Sequence, residues 1–239
     1  VELMASRPHL YPKDFDKPQR KELLDLLRSH GMQATIQALF PNLNLASPIK
    51  VARQETVDYV AECLGLATDF QSSLVVIPAT SCTVLEDMPY DQAWKLAAEG
   101  FKKCADYAEE AGVTLAMEYI SSPVNNFITN VDSMLKMVNE VGSKSLGAMI
   151  DIAHSRISGE DPSESARRAG RDLVHVHLAD SDRLPLGKGS IDILSFLRTL
   201  KEISYKGGLA VELWGANPET LARESMAFLK RVPADLLPE

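Results

Sequence analysis

Apolar positions along the chain fall into two patterns that alternate from end to end. Short runs dense in Val, Ile, Leu, Ala and Met occupy 1–4, 32–39, 73–78, 113–119, 145–152, 173–179 and 208–213. Continuous apolar character over so few residues is that of strands covered on both faces. Longer amphipathic stretches follow each of them, at 17–30, 49–68, 91–111, 131–141, 163–169, 191–203 and 218–230. In the first, Leu23, Leu24, Leu26 and Leu27 form one stripe at helical period and Gly31 supplies the stop; Gly112, Gly142 and Gly170 close later stretches in the same way. Strict strand–helix alternation predicts a parallel sheet covered by helices, an α/β fold. No linker or low-complexity segment divides the chain, so one domain over 1–239 is expected.

Two architectures satisfy this order, an open doubly wound sheet and a closed barrel. The first strand is not followed by GxGxxG, which removes the usual signal of a dinucleotide-binding open sheet. Seven strand–helix units are one short of a (β/α)₈ TIM barrel, and the 239 residues fall short of a typical barrel's length, about 250, by part of one unit. The chain opens on Val1 rather than Met, directly in a strand-like Val-Glu-Leu. The expectation is a (β/α)₈ TIM barrel whose first strand and helix lie outside this sequence.

Composition narrows the function classes. The net charge is −8, with 24% charged and 45% hydrophobic residues, enough apolar material for a full core. The acidic balance speaks against broad nucleic-acid or anionic-membrane binding. No apolar run approaches the roughly 20 residues of a bilayer span, and no basic-then-apolar leader opens the chain. Cys63, Cys82 and Cys104 are odd in number and form no CxxC pair, so a disulfide framework is not expected and a reducing cytoplasm is the default compartment.

Four successive strands carry a polar residue at or near their C-terminal end: Glu118, Asp151, His177 and Glu212, separated by 33, 26 and 35 residues, each about one strand–helix unit. In a barrel such residues converge on one mouth. A lone carboxylate there also fits a helix N-cap or an ion-pair partner, and a lone histidine also fits a structural role. Four in register is a different matter. Three carboxylates brought together repel unless a divalent cation joins them. An O₃N donor set suits Mn²⁺, Co²⁺ or Mg²⁺, with Zn²⁺ possible. His154, three residues after Asp151, and Arg183, six after His177, fall on mouth loops; each also fits a capping or plain loop role. Gly187-Lys188-Gly189 gives a tight turn but lacks P-loop spacing.

These residues carry a resemblance. The Val-Glu-Leu strand followed by Arg-Pro-His, the segments AMEY, MIDIAHS, HVHLADSDRLPLGKGSID and YKGGLAVEL, and the ligand spacing together resemble the xylose isomerase-like barrel superfamily. Within its sugar phosphate isomerase/epimerase branch, the likeness is to the ketose 3-epimerases that act on tagatose, psicose and fructoselysine. The resemblance spans essentially the whole chain, and it implies a first strand and helix before Val-Glu-Leu. It further implies that Glu118, Asp151, His177 and Glu212 are metal ligands and that Glu118 and Glu212 also form the proton-transferring pair. His154 and Arg183 would hold the O1 and O2 side of a ketose. The reaction is then removal of the C3 proton and its return to the opposite face through a cis-enediolate, with Mn²⁺ or Co²⁺ favoured as the metal and no organic cofactor. A small sugar is the implied partner, a homodimer or homotetramer the implied assembly, and a free ketose is favoured over a phosphorylated one because no basic cluster is present.

Several alternatives share this pattern. An aldose–ketose isomerase, like a hydroxypyruvate isomerase, would use the same four ligands, and a metal-dependent dehydratase would expel a hydroxyl instead. A three-metal endonuclease of the same superfamily would need more histidines; the chain has His9, His30, His154, His175 and His177, with none between 30 and 154. If the barrel is incomplete, a non-enzymatic sugar-binding relic is a further reading. Trp214 can stack on a sugar or simply lie at the rim, and His9 can line the mouth or sit on a plain loop. Phe40 and Pro41 are expected to bound the pocket. Trp94 and Cys104 are expected to pack, and His175 to lie deeper on the same side as His177.

Overall fold

A computed structural model describes residues 1–39, 42–122 and 124–238. Seven strands, β1 Glu2–Met4, β2 Thr35–Gln37, β3 Leu74–Pro78, β4 Thr114–Glu118, β5 Leu146–Asp151, β6 Leu173–Leu178 and β7 Gly208–Val211, form one sheet in chain order. Every neighbouring pair is parallel, as the alternation predicts. The helices are α1 Lys17–Ser29, α2 Lys50–Asp69, α3 Tyr90–Ala111, α4 Val131–Val141, α5 Ile152–Ile157, α6 Pro162–Ala169, α7 Ile193–Glu202 and α8 Pro218–Leu229. The sheet is a nearly closed barrel with β1 and β7 at its two edges. Side chains bridge the seam: Glu2 on β1 meets His175 and His177 on β6, and Gln37 on β2 meets Glu212 beyond β7.

Two apolar regions result. The larger lies between the strands and the helices, with Phe101, Phe196, Ile36, Leu115 and Met134 fully buried in it. Trp94 and Cys104 are buried there too, as expected for packing residues. A small separate cluster of Val76, Ala116 and Met149 packs between strands β3, β4 and β5. Strand residues two apart share a face. Glu118 therefore shares the face of Ala116, and Asp151 that of Met149.

One irregularity keeps β6 in step. The β5–β6 register moves from Ala148↔Leu173 to Met149↔His175, so Val174 is an extra residue. Gly147 makes room for it: a Cβ there would stand 2.5 Å from Val174 Cγ1. A one-residue slip exchanges the faces of a strand. The bulge is thus what sets His175 opposite Met149 and His177 opposite Asp151.

The pattern reading missed α5. The Asp151 carboxylate accepts the backbone N–H groups of Ala153 and His154 and starts that one extra turn and a half directly at the strand end. Strand 32–39 narrows to three residues, with Leu39 leaving the ladder for the Tyr59 hydroxyl. Phe40 and Pro41 lie outside the described residues. Among the described residues no helix is long and apolar enough to cross a membrane.

Candidate metal centre

Glu118 closes β4, Asp151 closes β5, His177 lies one residue from the end of β6, and Glu212 directly follows β7. One ligand atom from each lies within 4.8 Å of all the others. His177 Nδ1 is at the centre, 3.7 Å from Glu118 Oε1, 3.7 Å from Asp151 Oδ2 and 3.4 Å from Glu212 Oε2. Glu118, Asp151 and His177 are buried, and Glu212 is partly open at the mouth.

Asp151 divides its two oxygens between two tasks. Oδ1 caps α5, while Oδ2 faces the cluster and accepts from Arg183 Nη1 at 2.6 Å. The same nitrogen donates to Glu212 Oε2 at 2.8 Å, and Gln37 Nε2 donates to Glu212 Oε1 at 3.0 Å. Arg183 is thus drawn into the carboxylate cluster itself. His154, on α5, is held at Nδ1 by Ser121 Oγ at 2.9 Å, with the Ser121 backbone N–H directed at the same nitrogen. A backbone N–H can only donate, so Nδ1 accepts and the ring proton is left on Nε2.

The environments of the two glutamates diverge. Burial, aided by the charges of Glu212 and Asp151, pushes the Glu118 carboxyl well above the usual carboxylate range, against the opposing pull of His177. Burial would raise Glu212 as well, but the charge of His177, whose Nδ1 lies 3.4 Å away, and that of Arg183 hold it below its ordinary value. Asp151 is likewise buried and is held low by His177 and Arg183. Burial alone would lower His177, yet the charge and hydrogen bond of Glu2 and the nearby Asp151 and Glu212 carboxylates push it well up. Burial keeps His154 below the usual imidazole value despite the Asp151 charge.

The donor set fits a divalent cation on a specific observation. Among the described residues, Glu118 Oε1 and His177 Nδ1 are buried with no hydrogen-bond partner, and they face each other across the cluster. Buried polar atoms are ordinarily satisfied. A cation held by Glu118, Asp151, His177 and Glu212 would satisfy both orphans and relieve three converging carboxylates. The oxygen-rich set with one imidazole excludes a site built for thiolate-seeking metals.

Three residues of this neighbourhood were not singled out by the motifs. Glu2 accepts from His177 Nε2 at 2.7 Å and from His175 Nε2 at 3.1 Å. Its signal was the same as that of Glu118, a carboxylate inside an apolar strand. Gln37 carried no signal beyond its place at the end of β2. Asp180 is the Asp of the HVHLAD segment and is fully buried. Its carboxylate accepts the backbone N–H groups of Ser181 at 2.8 Å, Gly187 at 2.9 Å and Ile191 at 3.0 Å. That knot folds the loop carrying Asp182 and Arg183, both at positive φ (55° and 59°). Within the Gly-Lys-Gly segment Gly189 makes a close approach: a Cβ there would stand 2.5 Å from Asp180 Oδ1. Asp180→Ala strips the knot and leaves backbone donors unpaired, so it is expected to cost about 1–3 kcal/mol of stability and to release Arg183 from the cluster. Urea unfolding checks the first effect; an unchanged midpoint would contradict it.

Other expected residues stand further out. His175 is buried on the same side as His177 and points at Glu2, not at the cluster. Trp214 is exposed just past Glu212, and His9 lies exposed on the loop after β1.

The parallel α/β barrel with a carboxylate–imidazole cluster at the C-terminal ends of its strands defines the class of protein. Residues 1–232 match the xylose isomerase-like TIM barrel family, and the chain belongs to that family. It is 25% identical over 251 aligned positions to the fructoselysine 3-epimerase of Escherichia coli O157:H7, covering 100% of this chain and 89% of that protein. It is 28% identical over 151 positions to the D-psicose 3-epimerase of Enterocloster bolteae, covering 63% of this chain and 50% of that one. In three dimensions it superposes on the D-psicose 3-epimerase of Clostridium cellulolyticum H10, crystallised with D-tagatose. The TM-score is 0.88 at 21% identity, over 99% of this chain and 88% of the other. The relatives are thus epimerases that act on sugars, and the structural match shows a shared fold.

Proposed function

We propose that the protein is a divalent-metal-dependent ketose 3-epimerase. The observation that carries this reading is the convergence of Glu118 and Glu212 on one cluster from β4 and from beyond β7, strands separated by β5 and β6. Two carboxylates arriving from different sides of a barrel mouth can address opposite faces of a flat substrate carbon. That is what inversion at a carbon next to a carbonyl requires.

Glu118, Asp151, His177 and Glu212 would hold the cation. Once bound, it would supply Lewis-acid polarisation of the ketose carbonyl, favouring loss of the adjacent proton. One glutamate takes the C3 proton as general base. The electron pair of that C–H bond becomes a C2–C3 double bond as the carbonyl pair moves onto O2, giving an enediolate, and as the carbonyl re-forms the other glutamate delivers its proton to the opposite face of C3. Running the reaction backwards exchanges the two roles. Arg183, already paired to Asp151 and Glu212, lies where its remaining N–H groups can hold a substrate oxygen. His154, with its proton on Nε2, can donate to another while remaining neutral. No group need leave and no electron need be transferred.

The test follows C3 directly. Protein loaded with Mn²⁺ is incubated with D-fructose, D-psicose and D-tagatose in D₂O. Solvent deuterium at C3 together with epimer formation is the expected result. Deuterium at C1 instead would make the protein an aldose–ketose isomerase, and loss of water would make it a dehydratase.

A further inference from the structure

His177 has two ring nitrogens and a carboxylate facing each of them. Nδ1 looks into the Glu118–Asp151–Glu212 cluster and has no hydrogen-bond partner among the described residues. Nε2 looks the other way, at Glu2 Oε1, 2.7 Å away. The second oxygen of Glu2 is also engaged, 3.1 Å from His175 Nε2. Both oxygens being held, the carboxylate cannot rotate away from His177, and each imidazole has only a donor role to play toward it. The two histidines are packed edge to face, their ring centroids 5.3 Å apart, which fixes the second anchor against the first. All three side chains are nearly or fully buried, so water does not compete for these bonds.

We infer that Glu2 is a positioning residue that holds the His177 proton on Nε2, with His175 as the brace that keeps the carboxylate in place, so that His177 offers Nδ1 to the divalent cation. The inference rests on the reading of Glu118, Asp151, His177 and Glu212 as a cation site. A carboxylate behind a ligand histidine orients the ring and makes its other nitrogen a better donor. Glu2 belongs to β1 at the sheet edge, and His177 to β6, so the link also ties the seam of the barrel to the cluster.

The same three residues invite a competing arrangement. The Glu2 carboxylate and the Nε2 atoms of His175 and His177 lie close enough together to hold a cation themselves. A cation there would have to displace the Nε2 protons that the two short contacts to Glu2 accommodate.

Titration with Mn²⁺, followed by the electron paramagnetic resonance of the free ion, compares the wild-type protein with Glu2→Gln and Glu2→Ala. A long-range ¹H–¹⁵N spectrum of Zn²⁺-loaded, ¹⁵N-labelled wild-type protein reads which imidazole nitrogens carry protons. One Mn²⁺ per chain is expected, with affinity falling about 10- to 100-fold in Glu2→Ala. Glu2→Gln should lose less, since its amide oxygen still accepts from one imidazole. In the spectrum His177 and His175 should both carry the proton on Nε2, with His177 Nδ1 bound to the metal. Metal on Nε2 of His177, a second cation lost on changing Glu2, or unchanged affinity in Glu2→Ala overturns the inference and leaves the cation site standing. Absence of any Mn²⁺ binding by the wild-type protein removes the site and the inference together. If Glu2→Ala does not fold, the wild-type spectrum alone decides.

Discussion

Glu118→Gln and Glu212→Gln are each expected to slow ketose C3 epimerisation by roughly 10²- to 10⁴-fold, the usual worth of one positioned acid or base. Glutamine keeps the shape of each side chain and removes its capacity to take a proton. At 212 it also leaves Arg183 with Asp151 as its remaining carboxylate partner. The more telling result lies in D₂O. A variant lacking one base still has the other, so one epimer of a substrate pair should exchange its C3 hydrogen with solvent without inverting. The second epimer, which presents its hydrogen to the missing base, should do neither. Glu118→Gln and Glu212→Gln should show opposite choices of exchanging epimer. Both residues also belong to the donor set, so bound Mn²⁺ is counted in each preparation and the exchange pattern is read on the metal-loaded fraction. Full epimerisation by either variant would remove the two-glutamate mechanism. An identical exchange preference in both would remove the assignment of one glutamate to each face.

Removal of the divalent ion by chelation should abolish turnover and lower the melting temperature, and re-addition of Mn²⁺ should restore both. At a free ion concentration a hundred times Kd the bound state gains about 2.7 kcal/mol. For a chain of this size that corresponds to roughly 5–10 °C. The increment should depend on pH with a definite sign. Burial raises Glu118, so in the metal-free protein its contribution to stability is present at low pH and is lost as pH rises through its folded value. A bound cation takes the place of that proton. The metal-free protein therefore loses stability over a range in which the loaded protein does not, and the difference in melting temperature widens as pH rises. Glu2, Asp151 and Glu212 behave oppositely: held low by their cationic partners, they stabilise above the ordinary carboxylate range and cease to do so as pH falls toward strong acid. Melting curves across pH, with and without Mn²⁺, measure both limbs. An increment that shrinks as pH rises would take Glu118 out of the donor set.

The clustering of Glu118, Asp151, His177 and Glu212 was legible in the sequence because each breaks a local rule. An ionisable side chain in an apolar strand is conspicuous, and repetition at intervals of one strand–helix unit turns four oddities into one site. His154 and Arg183 stood out through the segments that contain them, and the structure brings Arg183 onto Asp151 and Glu212. Asp151 shows the limit of weighing a cap against a ligand, since one oxygen starts α5 and the other faces the cluster. Asp180 stood inside a motif, yet its task is visible only where its carboxylate gathers three N–H groups from a folded loop. The bulge at Val174 left no mark in the period of β6, although it decides which way His177 faces.

Hydrophobic period, helix stops and the spacing of polar strand ends thus determined the order of the strands, the parallel sheet and the four-residue cluster, because each follows the repeat of one strand–helix unit. Only the tertiary structure decided what lies behind and around that cluster. Glu2 reaches His177 across 175 positions of chain, and Gln37 reaches Glu212 across another 175. Such contacts are made by the curvature that brings the edges of the sheet toward each other, and no local periodicity records that curvature.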